Sequence, residues 1–87
     1  PFYLEKKGNR EAGAVFIKHD LMNGCIELYH RVYNNKGEKK FLVLDILERH
    51  KCEEFIKKQI YFDPDVWIIE VESRDLKLNN VFLKLGL

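Results

Sequence analysis

The chain has 87 residues, 46% hydrophobic and 33% charged, with 15 basic against 14 acidic side chains and a formal net charge of +1. That length suits a single domain over residues 1–87, and the charge balance gives no long-range pull toward nucleic acid or anionic lipid. No apolar run approaches the roughly 18–20 residues needed to span a bilayer. The two cysteines, Cys25 and Cys52, are too few for the disulfide framework of a small secreted domain and are expected as free thiols in a cytoplasmic protein.

Residues 2–6 are aromatic and partly alternating and read as a first strand. Lys7, Gly8, Asn9 and Arg10 make a turn. Residues 12–18 read as a second strand, and Gly13 between two alanines predicts the close approach of another backbone or a tight entry into the strand. Residues 19–24 are expected as a loop ending in Asn23-Gly24. Residues 25–33 alternate: Ile26, Leu28, His30 and Val32 share one face, and Glu27, Tyr29, Arg31 and Tyr33 the other. Residues 34–37 form a hairpin turn. Residues 39–44 return as a strand with apolar residues on both faces, which predicts a central position.

Asp45 and Glu48 have capping-box spacing, so a helix is expected from about Asp45 to Tyr61. Cys52, Phe55, Ile56, Gln59 and Ile60 form its inner face. Glu53 with Lys57, and Glu54 with Lys58, are spaced for ion pairs on its outer face. Asp63-Pro64-Asp65 ends the helix. Residues 66–74 then make the clearest strand, with Trp67, Ile69 and Val71 on one face and Ile68, Glu70, Glu72 and Arg74 on the other. A turn over 75–80 and a last strand over 81–85 complete the order β-β-β-β-α-β-β. This is an α+β fold, a two-layer sandwich of an antiparallel or mixed sheet with one main helix.

Glu70 and Glu72 lie two apart on a strand, with Cα atoms about 6.5–7 Å apart on one face. With Asp63 and Asp65 they define a candidate acidic surface, because residues 63–75 hold five acidic side chains against one basic. Such carboxylates can divide acid and base roles, hold a divalent cation, or meet a basic protein surface. Tyr29, Arg31 and Tyr33 define a candidate interaction face that could stack on bases, pack beneath the helix, or form a subunit contact. His19-Asp20 reads as a solvated loop pair, and His30 as a partly buried, satisfied histidine. His50 and Cys52 point apart on a helix and do not make a metal site. Phosphate-binding glycine loops and H-E-x-x-H are missing, and Ser73 is the one serine. No catalytic residue, metal ligand or cofactor is assigned.

Two segments carry a resemblance. Residues 11–18 (Glu-Ala-Gly-Ala-Val-Phe-Ile-Lys) and 62–75, opening Phe-Asp-Pro-Asp-Val-Trp, together resemble a family of small uncharacterised proteins found mainly in alphaproteobacteria, the domain-of-unknown-function family DUF1491. The resemblance runs over about residues 3–85, and the Phe-Asp-Pro-Asp-aliphatic-Trp segment is its most specific part. Family members usually begin with a further, helical segment, so the resemblance implies an additional N-terminal segment that this chain lacks. It implies one compact domain and brings no activity, cofactor or catalytic residue.

By elimination, the expected role is a non-enzymatic protein-interaction or structural domain, acting through a protein partner or self-association. One alternative is a small hydrolase or divalent-metal-dependent enzyme using the clustered carboxylates. Another is a weak nucleic-acid-binding module.

Overall fold

The computed structural model describes residues 2–74, 82, 86 and 87. The elements are β1 (Phe2–Lys6), β2 (Val15–Asp20), β3 (Cys25–Tyr33), β4 (Lys39–Glu48), α1 (Arg49–Phe62) and β5 (Trp67–Glu72). They build one mixed sheet in the order β1-β5-β2-β3-β4. β2, β3 and β4 form an antiparallel meander, β5 runs parallel to β2, and β1 is antiparallel to β5. A parallel neighbour cannot be reached through a tight turn, and α1 supplies the crossover. The α+β class with one main helix is the one that the residue pattern predicts. The expected turn at 75–80 and last strand at 81–85 lie outside the described residues, apart from Phe82.

β2 is buried from Val15 to His19, as suits a central strand covered on both faces. On one face Phe16, Ile26, Leu28 and Ile68 pack with Cys52 and Ile56 of α1. On the other, Val15, Ile17, Tyr29, Phe41, Ile69 and Val71 gather around Phe82. The Phe82 ring meets Tyr29 and Phe41 edge-on, at centroid distances of 5.1 and 5.4 Å. Phe82 thus covers part of the face that α1 leaves open.

Several boundaries differ from expectation, each through tertiary pairing. β2 begins at Val15 and runs through His19 and Asp20, because these two residues are held by ladder partners on both sides: Val71 and Glu72 of β5, Glu27 and Ile26 of β3. β4 is an edge strand rather than a central one. It continues through the expected capping box to Glu48, which pairs with Cys25. Asp45 accepts from the Ile46 amide at 2.8 Å instead of capping, and Glu48 precedes α1 without a side-chain cap bond. The Gly24 carbonyl accepts the Arg49 amide at 3.1 Å and satisfies one of the donors that a helix start leaves open. The expected i,i+4 pairs to Lys57 and Lys58 are replaced: Glu53 turns to Lys18 and Arg49, and Glu54 to His50.

Residues 7–14 are strapped across the entry to β5. The Asp65 carbonyl accepts the Asn9 amide at 2.9 Å, and the Ala14 carbonyl accepts the Trp67 amide at 2.8 Å. The Trp67 indole N–H donates to the Asn9 carbonyl at 2.8 Å. A Cβ on Gly13 would stand 2.1 Å from the Asp65 carbonyl oxygen and 2.9 Å from Trp67 Cδ1, so this glycine is set by the close approach of backbone.

Candidate functional site

Lys18 projects from the middle of β2 toward α1. A lysine 1% exposed needs anionic partners to offset its loss of water, and three converge on it. Its Nζ lies 2.6 Å from Glu5 of β1, 2.7 Å from Glu53 of α1 and 3.3 Å from Glu70 of β5. Glu70 is its ladder partner on the neighbouring strand, which puts both side chains on one face. Burial alone would lower the ammonium pKa. The hydrogen bonds to Glu5 and Glu53 reverse this and hold it above the ordinary lysine range.

Arg49 extends the network from the first position of α1. Its guanidinium lies 2.7 Å from Asp20, 3.2 Å from Glu70 and 3.6 Å from Glu53. The pull of Glu70 and Asp20 outweighs the effect of burial and raises its pKa. Carboxylate oxygens of Asp20, Glu70 and Glu72 lie within 4.8 Å of one another. Two of these three carboxylates already accept from Arg49, so the guanidinium supplies positive charge where a divalent ion would otherwise act.

A second polar group lies on the opposite face. His19, fully buried, places Nε2 2.7 Å from the Ser73 carbonyl and Nδ1 3.0 Å from Glu27. A carbonyl only accepts, so Nε2 is the donor to Ser73, and Nδ1 faces the Glu27 carboxyl group. The Tyr29 hydroxyl donates to the same Glu27 oxygen at 2.8 Å. Burial and this carboxylate raise the phenol pKa.

The four carboxylates of the predicted acidic surface do not converge. Glu70 and Glu72 come together near the end of β5 with Asp20, which is the last residue of β2 and not part of a loop. Asp63 and Asp65 lie before the start of β5. There the Asp63 side chain accepts the Asp65 amide at 3.0 Å and shapes the turn out of α1. Tyr29, Arg31 and Tyr33 share a face as predicted, but it is the face away from α1. Tyr29 is buried under Phe82 and is not available to stack on a base. Arg31 is half-buried, and its guanidinium lies 5.4 Å from the centroid of the exposed Tyr33 ring. His50 is exposed beside Glu54, and Cys52 is buried with its thiol pushed up to about 11, chiefly by burial. Lys18, Glu5 and Arg49 are not among the site residues that the sequence suggests, and Glu53 is expected from it only as a partner of Lys57. The available signal was a lysine within the apolar run Val15-Phe16-Ile17-Lys18, where a charge must be paired if the strand is central.

The sequence profile of the family described as "Protein of unknown function (DUF1491)" matches residues 1–79. The chain belongs to the DUF1491 family. A crystal structure of a DUF1491 family protein from Caulobacter crescentus is similar to it, with a TM-score of 0.72 and 26% identity over 85% of this chain and 71% of that one. A solution structure of a protein from A. tumefaciens matches with a TM-score of 0.74 and 25% identity, over 86% of this chain and 71% of that one. An NMR structure of a C. crescentus DUF1491 protein matches with a TM-score of 0.68 and 25% identity, over 85% and 69%. No curated protein matches the chain. In this DUF1491 chain the Phe-Asp-Pro-Asp-Val-Trp segment has a clear structural use: Asp63 forms the turn and Trp67 fastens residues 8–13. Among the described residues, no helix is long and apolar enough to cross a membrane.

Proposed function

We propose that this chain is a non-enzymatic interaction module of the cytoplasm that associates with a second copy of itself through the edge of β4, which has no strand partner among the described residues. The observation that carries this reading is the exposure of Leu42, Val43, Leu44 and Ile46, each 43–55% exposed, on a ten-residue edge strand. An unpaired edge bearing aliphatic side chains is a template for strand addition. Its charges are self-complementary. Lys39 and Lys40 open the strand, and Asp45 and Glu48 close it. Antiparallel pairing about a two-fold axis brings each copy's basic end to the other's acidic end. The bulge opposite Leu28/Tyr29 interrupts the ladder and keeps the contact modest.

The chemistry of the interior supports the non-enzymatic part. Lys18 is held as an ammonium, Cys52 as a thiol, and Asp20 and Glu70 are spent on Arg49. Both cysteines are free, in keeping with a reducing compartment. Sedimentation velocity over a wide concentration range tests the reading. The expected result is a concentration-dependent dimer that Leu44→Lys converts to monomer with an unchanged circular dichroism spectrum. A monomer at every concentration, or a dimer that Leu44→Lys leaves intact, overturns it.

A further inference from the structure

The end of the sheet where β2 and β5 begin carries a cleft of about 230 Å³, lined by Arg10, Val15, Arg31, Trp67, Ile69 and Leu87. Its charges contrast with those of the Lys18–Arg49 network. Lys18 and Arg49 are each surrounded by carboxylates. Arg31 is half-buried, yet its polar partners are one backbone carbonyl, that of Gly13 at 3.1 Å, and the face of the Tyr33 ring. Among the described residues it makes no ion pair. Arg10, exposed on the same cleft, makes none either. A guanidinium partly withdrawn from water without an anion is short of the group that its planar fork fits best, a carboxylate or phosphate. Trp67, Val15 and Ile69 meanwhile supply a flat, apolar wall. The Trp67 indole N–H is already bound to Asn9, so its ring is fixed.

We propose that this cleft binds a single-ring organic anion, with a carboxylate or phosphate on Arg31 and Arg10 and the ring against Trp67. The volume is below the roughly 300 Å³ at which drug-sized sites begin, which favours one ring over a nucleotide or a peptide. The site lies on β2, β3, β5 and the 7–14 strap, apart from the free edge of β4, and does not depend on self-association.

Trp67 is the chain's one tryptophan, so its fluorescence and its indole N–H resonance report directly on the cleft. Titration with benzoate and with phenyl phosphate tests the proposal and separates the two head groups, while benzyl alcohol and inorganic phosphate isolate the contributions of ring and charge. The expected result is a saturable shift with at least one aryl anion, and binding by both controls at least tenfold weaker. Arg31→Gln should weaken the aryl anion about tenfold or more, as loss of a charge-assisted hydrogen bond does. Arg31 also holds the Gly13 carbonyl, so Arg10→Gln is the cleaner variant: it removes an exposed side chain with no partner among the described residues and should weaken binding several-fold in a folded protein. No saturable shift with either aryl anion, equal binding of benzyl alcohol or of inorganic phosphate, or an affinity that Arg10→Gln leaves unchanged overturns the proposal.

Discussion

Asp20 of β2 and Glu72 of β5 stand directly opposite each other on adjacent strands. Like charges at such positions repel, and Arg49, 2.7 Å from Asp20, is the nearby counterweight. Arg49→Gln is therefore expected to lower stability by about 1 kcal/mol, a modest figure because the guanidinium is partly solvated. Adding Glu72→Gln to that variant should return part of the loss. Urea denaturation of the two single variants and the double gives the coupling between them. Strictly additive effects would show that Arg49 does not offset this repulsion.

Three buried groups hold their protons more tightly in the folded chain. Burial pushes the Cys52 thiol up from 9.0 to about 11. Burial and Glu27 raise the Tyr29 phenol. Lys18 rises from 10.5 because its bonds to Glu5 and Glu53 outweigh burial. Each folded-state value lies above its unfolded value, so each contribution is full below the unfolded pKa and lost as pH rises. Stability should therefore begin to fall near pH 9 and fall more steeply above 10.5. Cys52→Ala should flatten the decline between pH 9 and 11. Lys18→Met should cost about 2–3 kcal/mol at neutral pH, since its partners Glu5 and Glu53 keep some solvent, and should remove part of the steep alkaline phase. Urea midpoints measured across this range check both. In the native protein at pH 7, Cys52 should resist a thiol reagent that modifies it once unfolded.

Gly13→Ala should cost about 2–3 kcal/mol, because its methyl group would collide with the Asp65 carbonyl, and backbone on both sides must shift. Gly24 gives the contrast. It has a φ of +90° and open space around it, so Gly24→Ala should cost about 1 kcal/mol from backbone strain alone. Thermal unfolding of the two variants should rank them in that order. The reverse ranking would mean that residues 7–14 yield without loss.

β3 was legible because apolar and polar residues alternate along it in the sequence, and its bounds follow directly, although Tyr29 on its polar face is buried under Phe82. β4 and the start of α1 were not legible, because Asp45-Ile46-Leu47-Glu48 carries a helix-start signal that ladder pairing with Cys25–Leu28 overrides. Position in the sheet was equally hidden: apolar residues on both faces of β4 suggested burial, whereas they lie on an open edge. Of the acidic surface, Glu70 and Glu72 were found through their two-residue spacing. Asp20, Glu5 and Lys18 join them only through the register of strands distant in sequence, which no local pattern encodes.

The placement of β5 between β1 and β2 also orders the assembly of the chain. β2, β3 and β4 are neighbours in sequence and can pair early, through short loops. Among the described residues β1 has a single partner strand, β5, which follows β1 to β4 in the sequence. During synthesis β1 must therefore wait without that partner until β5 has left the ribosome. An early stop anywhere in β5 therefore also leaves β1 and one edge of β2 free for the wrong partner.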